Sequence, residues 1–177
     1  MTEMPEFSRP VAAHTLPRSG REVTIEADAA ERAALARRFG LIALDRLRAQ
    51  FRLRPGAGGT IAVHGTLSAA VVQRCVVTLD PLPAEIEEEV EAVFADAPAG
   101  PDADEIEIDP LAAEVEPLVD GRIDLGELAA QHLSLALDPY PRSPDAPPLE
   151  DAPEPPAEGM RRPFAVLKGG GQGGKGD

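Results

Sequence analysis

The stretch from Thr60 to Phe94 constrains this chain more than any other. It reads T-I-A-V-H-G-T-L-S-A-A-V-V-Q-R-C-V-V-T-L-D-P-L-P-A-E-I-E-E-E-V-E-A-V-F. Ile61, Val63, Gly65 and Leu67 alternate with Ala62, His64 and Thr66, the period-2 pattern of a half-buried strand. Gly65 weakens such a strand or marks a bulge. Ala70–Leu79 is apolar on both faces around Gln73 and Arg74, which predicts a separate interior strand holding Cys75 in its middle. Asp80-Pro81-Leu82-Pro83 should end it, because proline has no N–H to give to a ladder. In the third run Ile86, Val90, Ala92 and Phe94 share one parity, and Glu87, Glu89 and Glu91 the other. Glutamate and alanine also favour helices, so Glu85–Ala95 reads as strand or as helix. Short connections between three strands favour an antiparallel meander.

The flanks supply the partners of this sheet. From Leu44 to Arg54 the pattern again has period 2: Leu47, Ala49, Phe51 and Leu53 face one way, and Arg46, Arg48, Gln50, Arg52 and Arg54 the other. That is a strand with a basic wet face, joined by the turn Pro55–Gly59 to the Thr60–Leu67 strand as a hairpin. Upstream, Val23–Glu26 reads as a short strand, and Phe7, Val11 and Leu16 as a proline-broken edge strand. Asp28 with Glu31 three residues on has capping-box spacing, Ala29–Phe39 is helical in composition, and Gly40 is placed to end that helix. Downstream, Ile106 and Ile108 suggest an edge strand, and Val115 another. Asp124 and Glu127 repeat the capping spacing ahead of a helix whose stripe is Leu125, Leu128, Ala129, His132, Leu133 and Leu135.

Charge divides the chain. Residues 1–60 hold ten arginines against seven acids, residues 61–160 three arginines against 23 acids, and residues 161–177 four basic groups against one acid. The formal total is −14 over 177 residues. Such an acidic middle repels nucleic acid and attracts basic partners. With no run near the roughly 20 apolar residues that span a bilayer, and with acids and Pro5 where a signal peptide needs a basic and then an apolar region, the expected location is cytoplasmic. The single cysteine rules out an intramolecular disulfide and a thiolate metal cage within one chain.

Little in the sequence points to catalysis. His14, His64 and His132 fall in three different elements without ligand spacing, so no metal or catalytic cluster is expected. Cys75 among valines reads as a small buried hydrophobe. The terminal Gly169–Gly174 run has no helix after it and is no phosphate loop. The acidic pairs Glu87/Glu89 and Glu105/Glu107 lack the oxygen-ligand spacing of a calcium loop. The row Arg46, Arg48, Arg52 and Arg54, with Arg37 and Arg38 near it, has two readings: a phosphate-binding row, or a solvated face paired with the acids Glu87, Glu89 and Glu91 of a neighbouring strand; Arg74 is a further candidate for RNA or partner binding. A hydrolase built on His64 or His132 is a further class, with no substrate to propose.

Four segments together are similar to a known family. Val72–Pro81, with Gln73, Arg74 and Cys75, resembles the central C-x-R-C strand of the YceD family. Gly121–Leu128, with Gly121, Asp124 and Leu125, resembles its G-x-I-D-L helix start. Leu135–Arg142 resembles the segment that follows, and Arg162–Leu167 its terminal N-P-F-A-x-L ending. The resemblance implies a small acidic bacterial or plastid protein, a large ribosomal RNA subunit accumulation factor, with no enzymatic activity. Many members carry C-x-x-C in the central strand and more cysteines after the helix, which implies metal binding. Here Val72 stands in place of the first cysteine and residues 142–148 have none, so no metal or other cofactor is expected.

The expected fold is α+β: a largely antiparallel sheet with two helices and a disordered Pro/Gly-rich C-terminal segment. Residues 1–142 should form the domain, 143–160 a disordered acidic linker, and 161–177 a short apolar docking motif, Pro163, Phe164 and Leu167, with a flexible basic tail. The expected function is non-enzymatic, in large ribosomal subunit biogenesis and 23S rRNA accumulation. Its partner is either rRNA, met by the arginine row, or a basic ribosomal protein, escorted by the acidic middle. The alternative is an acidic protein–protein adaptor that uses Pro163–Leu167.

Overall fold

Alternation over Ala43–Arg74 and Pro81–Ala95 builds three long strands, and everything else is placed by them. The computed structural model describes residues 5–96 and 115–148. The chain divides after Ala146 into two units, and the helices and strands of the described residues all lie in the first. In chain order the elements are β1 (Pro10–Ala12), β2 (Arg21–Glu26), α1 (Ala29–Phe39), β3 (Ala43–Pro55), β4 (Ile61–Arg74), β5 (Pro81–Ala95), β6 (Val115–Pro117), β7 (Arg122–Asp124) and α2 (Leu125–Ala136). One five-stranded sheet has the order β2-β3-β4-β5-β6, and β1 pairs with β7 in a small second sheet. Among the described residues all pairings are antiparallel except β5 with β6. The α+β architecture with two helices is therefore the observed one.

Two expectations need correction. Thr60–Leu79 does not hold two strands: β4 runs unbroken to Arg74, and residues 75–80 are the turn into β5. Cys75 N–H donates to Asp80 O at 2.9 Å and Leu79 N–H to Cys75 O at 3.0 Å, so the apolar Val76–Leu79 run closes a hairpin. Nor do Pro81 and Pro83 end a strand. They open β5, opposite Arg74 and Val72. A proline is tolerated in a ladder where its missing N–H faces an open edge, and among the described residues β5 has a strand beyond it, β6, only from Val93 onward. The helical alternative for Glu85–Ala95 falls with the same register.

The core lies between one face of the sheet and the helices. Leu47, Ala49, Phe51 and Leu53 of β3 and Val63, Leu67, Ala69 and Val71 of β4 are buried, as are Val90 and Phe94 of β5. Each large apolar side chain so buried contributes roughly 1.5–3 kcal/mol. A bulge at Asp45 shifts the register between Leu44 and Arg46. It inverts the parity, so Leu44 and Leu47 both reach the core. Gly65 makes no bulge: a Cβ there would lie 2.6 Å from Phe51 Cδ1 and 2.2 Å from Gln50 O, so the missing side chain seats the Phe51 ring.

Both helices begin as their spacing predicts. Asp28 accepts from Ala30 and Glu31 N–H while Glu31 accepts from Asp28 N–H, a complete capping box, and Gly40 closes α1 at φ 67°. Asp124 caps α2 in the same way, but Glu127 does not reach back. Its carboxylate takes both arms of the Arg38 guanidinium at 3.0 and 2.8 Å, tying α2 to α1. Leu135 is 81% exposed and lies off the buried stripe, where Ala130 takes its expected place. The Val115 strand forms as β6. The Ile106–Ile108 strand and the motif Pro163, Phe164 and Leu167 lie outside the described residues.

Candidate functional site: an open sheet face and a motif-built turn

The face of the sheet turned away from the helices is polar, and strand register lays it out in rows. Glu22, Arg52, His64 and Glu91 form one row across β2 to β5; Glu26, Arg48, Ser68 and Glu87 another; Thr24, Gln50, Thr66 and Glu89 lie between them. Arg46, Ala70 and Glu85 make a fourth. The arginines stand in one column on β3, as the alternation predicts. The acids of β5 are two strands away, not on the neighbouring strand, because β4 intervenes.

Small side chains on β4 let the columns meet. Arg46 Nη2 crosses above Ala70 to Glu85 Oε2 at 2.6 Å. Arg52 turns the other way, to Glu22 on β2 at 2.8 Å. His64 Nδ1 lies 3.3 Å from Glu91 Oε1. Counting this face, four arginines stand among the carboxylates of Glu22, Glu26, Glu85, Glu87, Glu89 and Glu91. The row is thus acid-flanked on both sides. Arg54 ends the column opposite Ala62, and Arg74 sits exposed at the far end of β4.

At that far end the fold gathers two of the motif segments. Gln73 Nε2 donates to Asp138 O at 2.8 Å, and Val76 N–H to Pro141 O at 2.8 Å. Cys75 is fully buried. Its sulfur accepts the N–H groups of Ser143 and Thr78, both at 3.4 Å. Ser143 N–H, and after it the Thr78 hydroxyl and N–H, hold the thiol well below its ordinary range, at about 6. Cys75 is thus buried, as its sequence setting predicts, but it is a hydrogen-bonded node at the root of a turn and not a mid-strand filler. No local pattern marks Ser143; only the fold brings it here.

A metal centre of the kind the paired-cysteine sequences imply does not fit these residues. Val72 offers no ligand, Ser143 presents its backbone N–H to the sulfur, and no group of three or more His, Cys, Asp or Glu side chains converges among the described residues. His14 is exposed in a turn, His64 on the open face, and His132 half-buried on α2.

The third motif builds a joint. Gly121, at φ 67°, gives its carbonyl to Ala13 N–H at 2.9 Å. Asp124 accepts from Ser8 Oγ at 2.5 Å, from Arg9 N–H at 2.7 Å, and from Gly126 and Glu127 N–H at the head of α2. Leu125 is fully buried beside it. A Cβ at Gly126 would sit 2.4 Å from Phe7 O, so the helix starts pressed on the N-terminal segment.

Residues 63–169 match the family described as "Large ribosomal RNA subunit accumulation protein YceD". The chain belongs to the YceD family. The match takes in β4 from Val63 on, β5, the Cys75 turn and α2, so Asp124 and Cys75 are both within it. The family description ties its members to accumulation of large-subunit ribosomal RNA and names no reaction. No curated protein and no solved structure matches the chain. Among the described residues no helix is long and apolar enough to cross a membrane.

Proposed function

We propose that the chain acts in large ribosomal subunit biogenesis as a non-enzymatic escort of a basic ribosomal protein, with its acidic β5 side as the contact surface. The observation that carries this reading is the setting of the arginine column. A phosphate platform needs cations with an outward field. Here Arg46 and Arg52 are held by Glu85 and Glu22, and further carboxylates stand on either side. Repulsion from those carboxylates weakens any approach of RNA, whereas a lysine- or arginine-rich protein gains from it. Residues 61–160, with 23 acids against three arginines, add a long-range field of the same sign.

Binding of the purified chain to a large-subunit rRNA precursor and, separately, to isolated basic ribosomal proteins, each across a salt series, tests this. Salt-sensitive binding to a ribosomal protein without RNA binding is the expected result. RNA binding that weakens steeply with salt, and less steeply after Arg46, Arg48, Arg52 and Arg54 are changed to alanine, would transfer the contact to the arginine row.

A further inference from the structure

The outer edge of β5 has a backbone orientation that can be read from two independent observations. The β4–β5 register is constant from Ile61↔Phe94 to Arg74↔Pro81, with no bulge. In such a ladder, residues of one parity turn N–H and C=O toward the partner strand and those of the other parity turn them away. Pro81 and Pro83 have no N–H to give, so their parity is the outward one. At the other end of the strand Ala95, of the same parity, gives its carbonyl outward to Leu118 N–H at 2.8 Å. Glu85, Glu87, Glu89 and Glu91 therefore carry the outward-facing backbone groups. Among the described residues no strand pairs with them, since β6 meets only Val93–Ala95.

The same four residues are exposed and carry the acidic column. Glu85 is engaged by Arg46 and Glu91 by His64. Glu87 and Glu89 make no ion pair among the described residues, and with Thr66, Leu67, Ser68 and Glu88 they line a recess of about 420 Å³. Like charges along an edge block indiscriminate pairing. They also select. A strand laid antiparallel on this edge places its side chains directly opposite the glutamates, where opposite charges attract and like charges repel.

We infer that the outer edge of β5 is a strand-addition site for an extended basic segment with lysine or arginine at every second residue. The guest's backbone pairs with Glu85–Glu91, and its cations meet Glu87 and Glu89. This rests on the basic-partner reading above and specifies how that partner is held.

The test uses the full chain and two synthetic peptides of one composition, one alternating lysine with valine, the other with its lysines contiguous. Fluorescence anisotropy should show the alternating peptide binding at least about tenfold more tightly, a difference of about 1.4 kcal/mol. Two substitutions then separate charge from backbone pairing. Glu87→Gln removes one carboxylate and should weaken binding modestly. Glu87→Pro removes the same carboxylate and the outward N–H, leaving the β4 ladder intact as Pro81 and Pro83 do, and should abolish binding. Circular dichroism checks that the proline variant folds. Independently of any variant, hydrogen exchange of the Glu85, Glu87, Glu89 and Glu91 amides in the unaltered chain should slow when the peptide is present.

Equal binding of both peptides, equal effects of the two substitutions in folded protein, or unchanged exchange at those amides would overturn strand addition. Binding of basic ribosomal proteins would then still stand as electrostatic contact alone. Binding of RNA with no basic protein or peptide bound would overturn both.

Discussion

Arg46 on β3 reaches Glu85 on β5 across an entire intervening strand, passing above Ala70. The pair exists because position 70 is small; a long side chain there would separate the two columns. Both partners are more than half exposed, at 51% and 68%, so the pair is weak. A double-mutant cycle with Arg46→Ala and Glu85→Ala should give a coupling of about 0.2–1 kcal/mol that fades in high salt. Urea unfolding with and without added salt measures it, and Ala70→Lys should remove the coupling without changing either partner.

Asp124 should be far costlier to lose. It caps α2 and also accepts from Ser8 and Arg9. Asp124→Ala is expected to destabilise by about 2–4 kcal/mol, a lost cap plus stranded donors. Asp124→Asn keeps an acceptor oxygen and should lose roughly half of that. Urea midpoints of the two variants decide.

Glu31 gives the fold an acid limit. Arg9 binds its two oxygens at 2.7 and 2.9 Å, and with Asp28 N–H holds its pKa below the ordinary carboxylate value. The stabilisation is fully present above the unfolded value of about 4.3 and is lost as pH falls through the lower folded value. Stability should therefore drop as pH goes below about 5, and Glu31→Gln should flatten that part of the curve. A thermal-melt series over pH is the measurement.

Cys75 should act in a different window. Its folded value of about 6 lies below the roughly 8.5 of an unfolded thiol. Its contribution is complete above the unfolded value and is lost as pH falls through the folded one. Thiolate ultraviolet absorbance should rise near pH 6 in the native protein. Thr78→Val removes the hydroxyl and should move that titration upward. A native titration in the ordinary thiol range would refute the node.

Local pattern made much of this legible. The alternation of Leu47–Leu53 against Arg48–Arg54 gave the buried and wet faces of β3 correctly, and both helix starts were visible in Asp28/Glu31 and Asp124. What pattern could not supply was pairing and interruption. A run of apolar residues looks the same in an interior strand and in a hairpin turn, so the pattern of Val76–Leu79 alone points to the sheet. Proline reads as a stop unless one knows that its side of the strand is open, as at Pro81 and Pro83. The separation of the arginine and glutamate columns depends on which strand lies between them, and Ser143 reaches Cys75 only through tertiary structure. Leu135 fits a helical spacing but lies beside the buried stripe, since Leu133 before it and Leu137 after it both pack on the core.

The Ser8–Asp124 contact joins positions 116 residues apart, and among the described residues β1 pairs only with β7. The meander, by contrast, joins strands in the order in which they are made. During synthesis α1 and the β2–β5 hairpins can assemble as they emerge, since their contacts close short loops. Arg9–Glu31 and Glu6–Arg38 can tie the N-terminal segment to α1 early, but Phe7 and Val11 lack their β7 and α2 neighbours until Asp124 has been translated. The first segment of the domain to be made thus completes its packing late, and a nascent chain stalled before Gly121 would leave Phe7 and Val11 without their β7 and α2 cover.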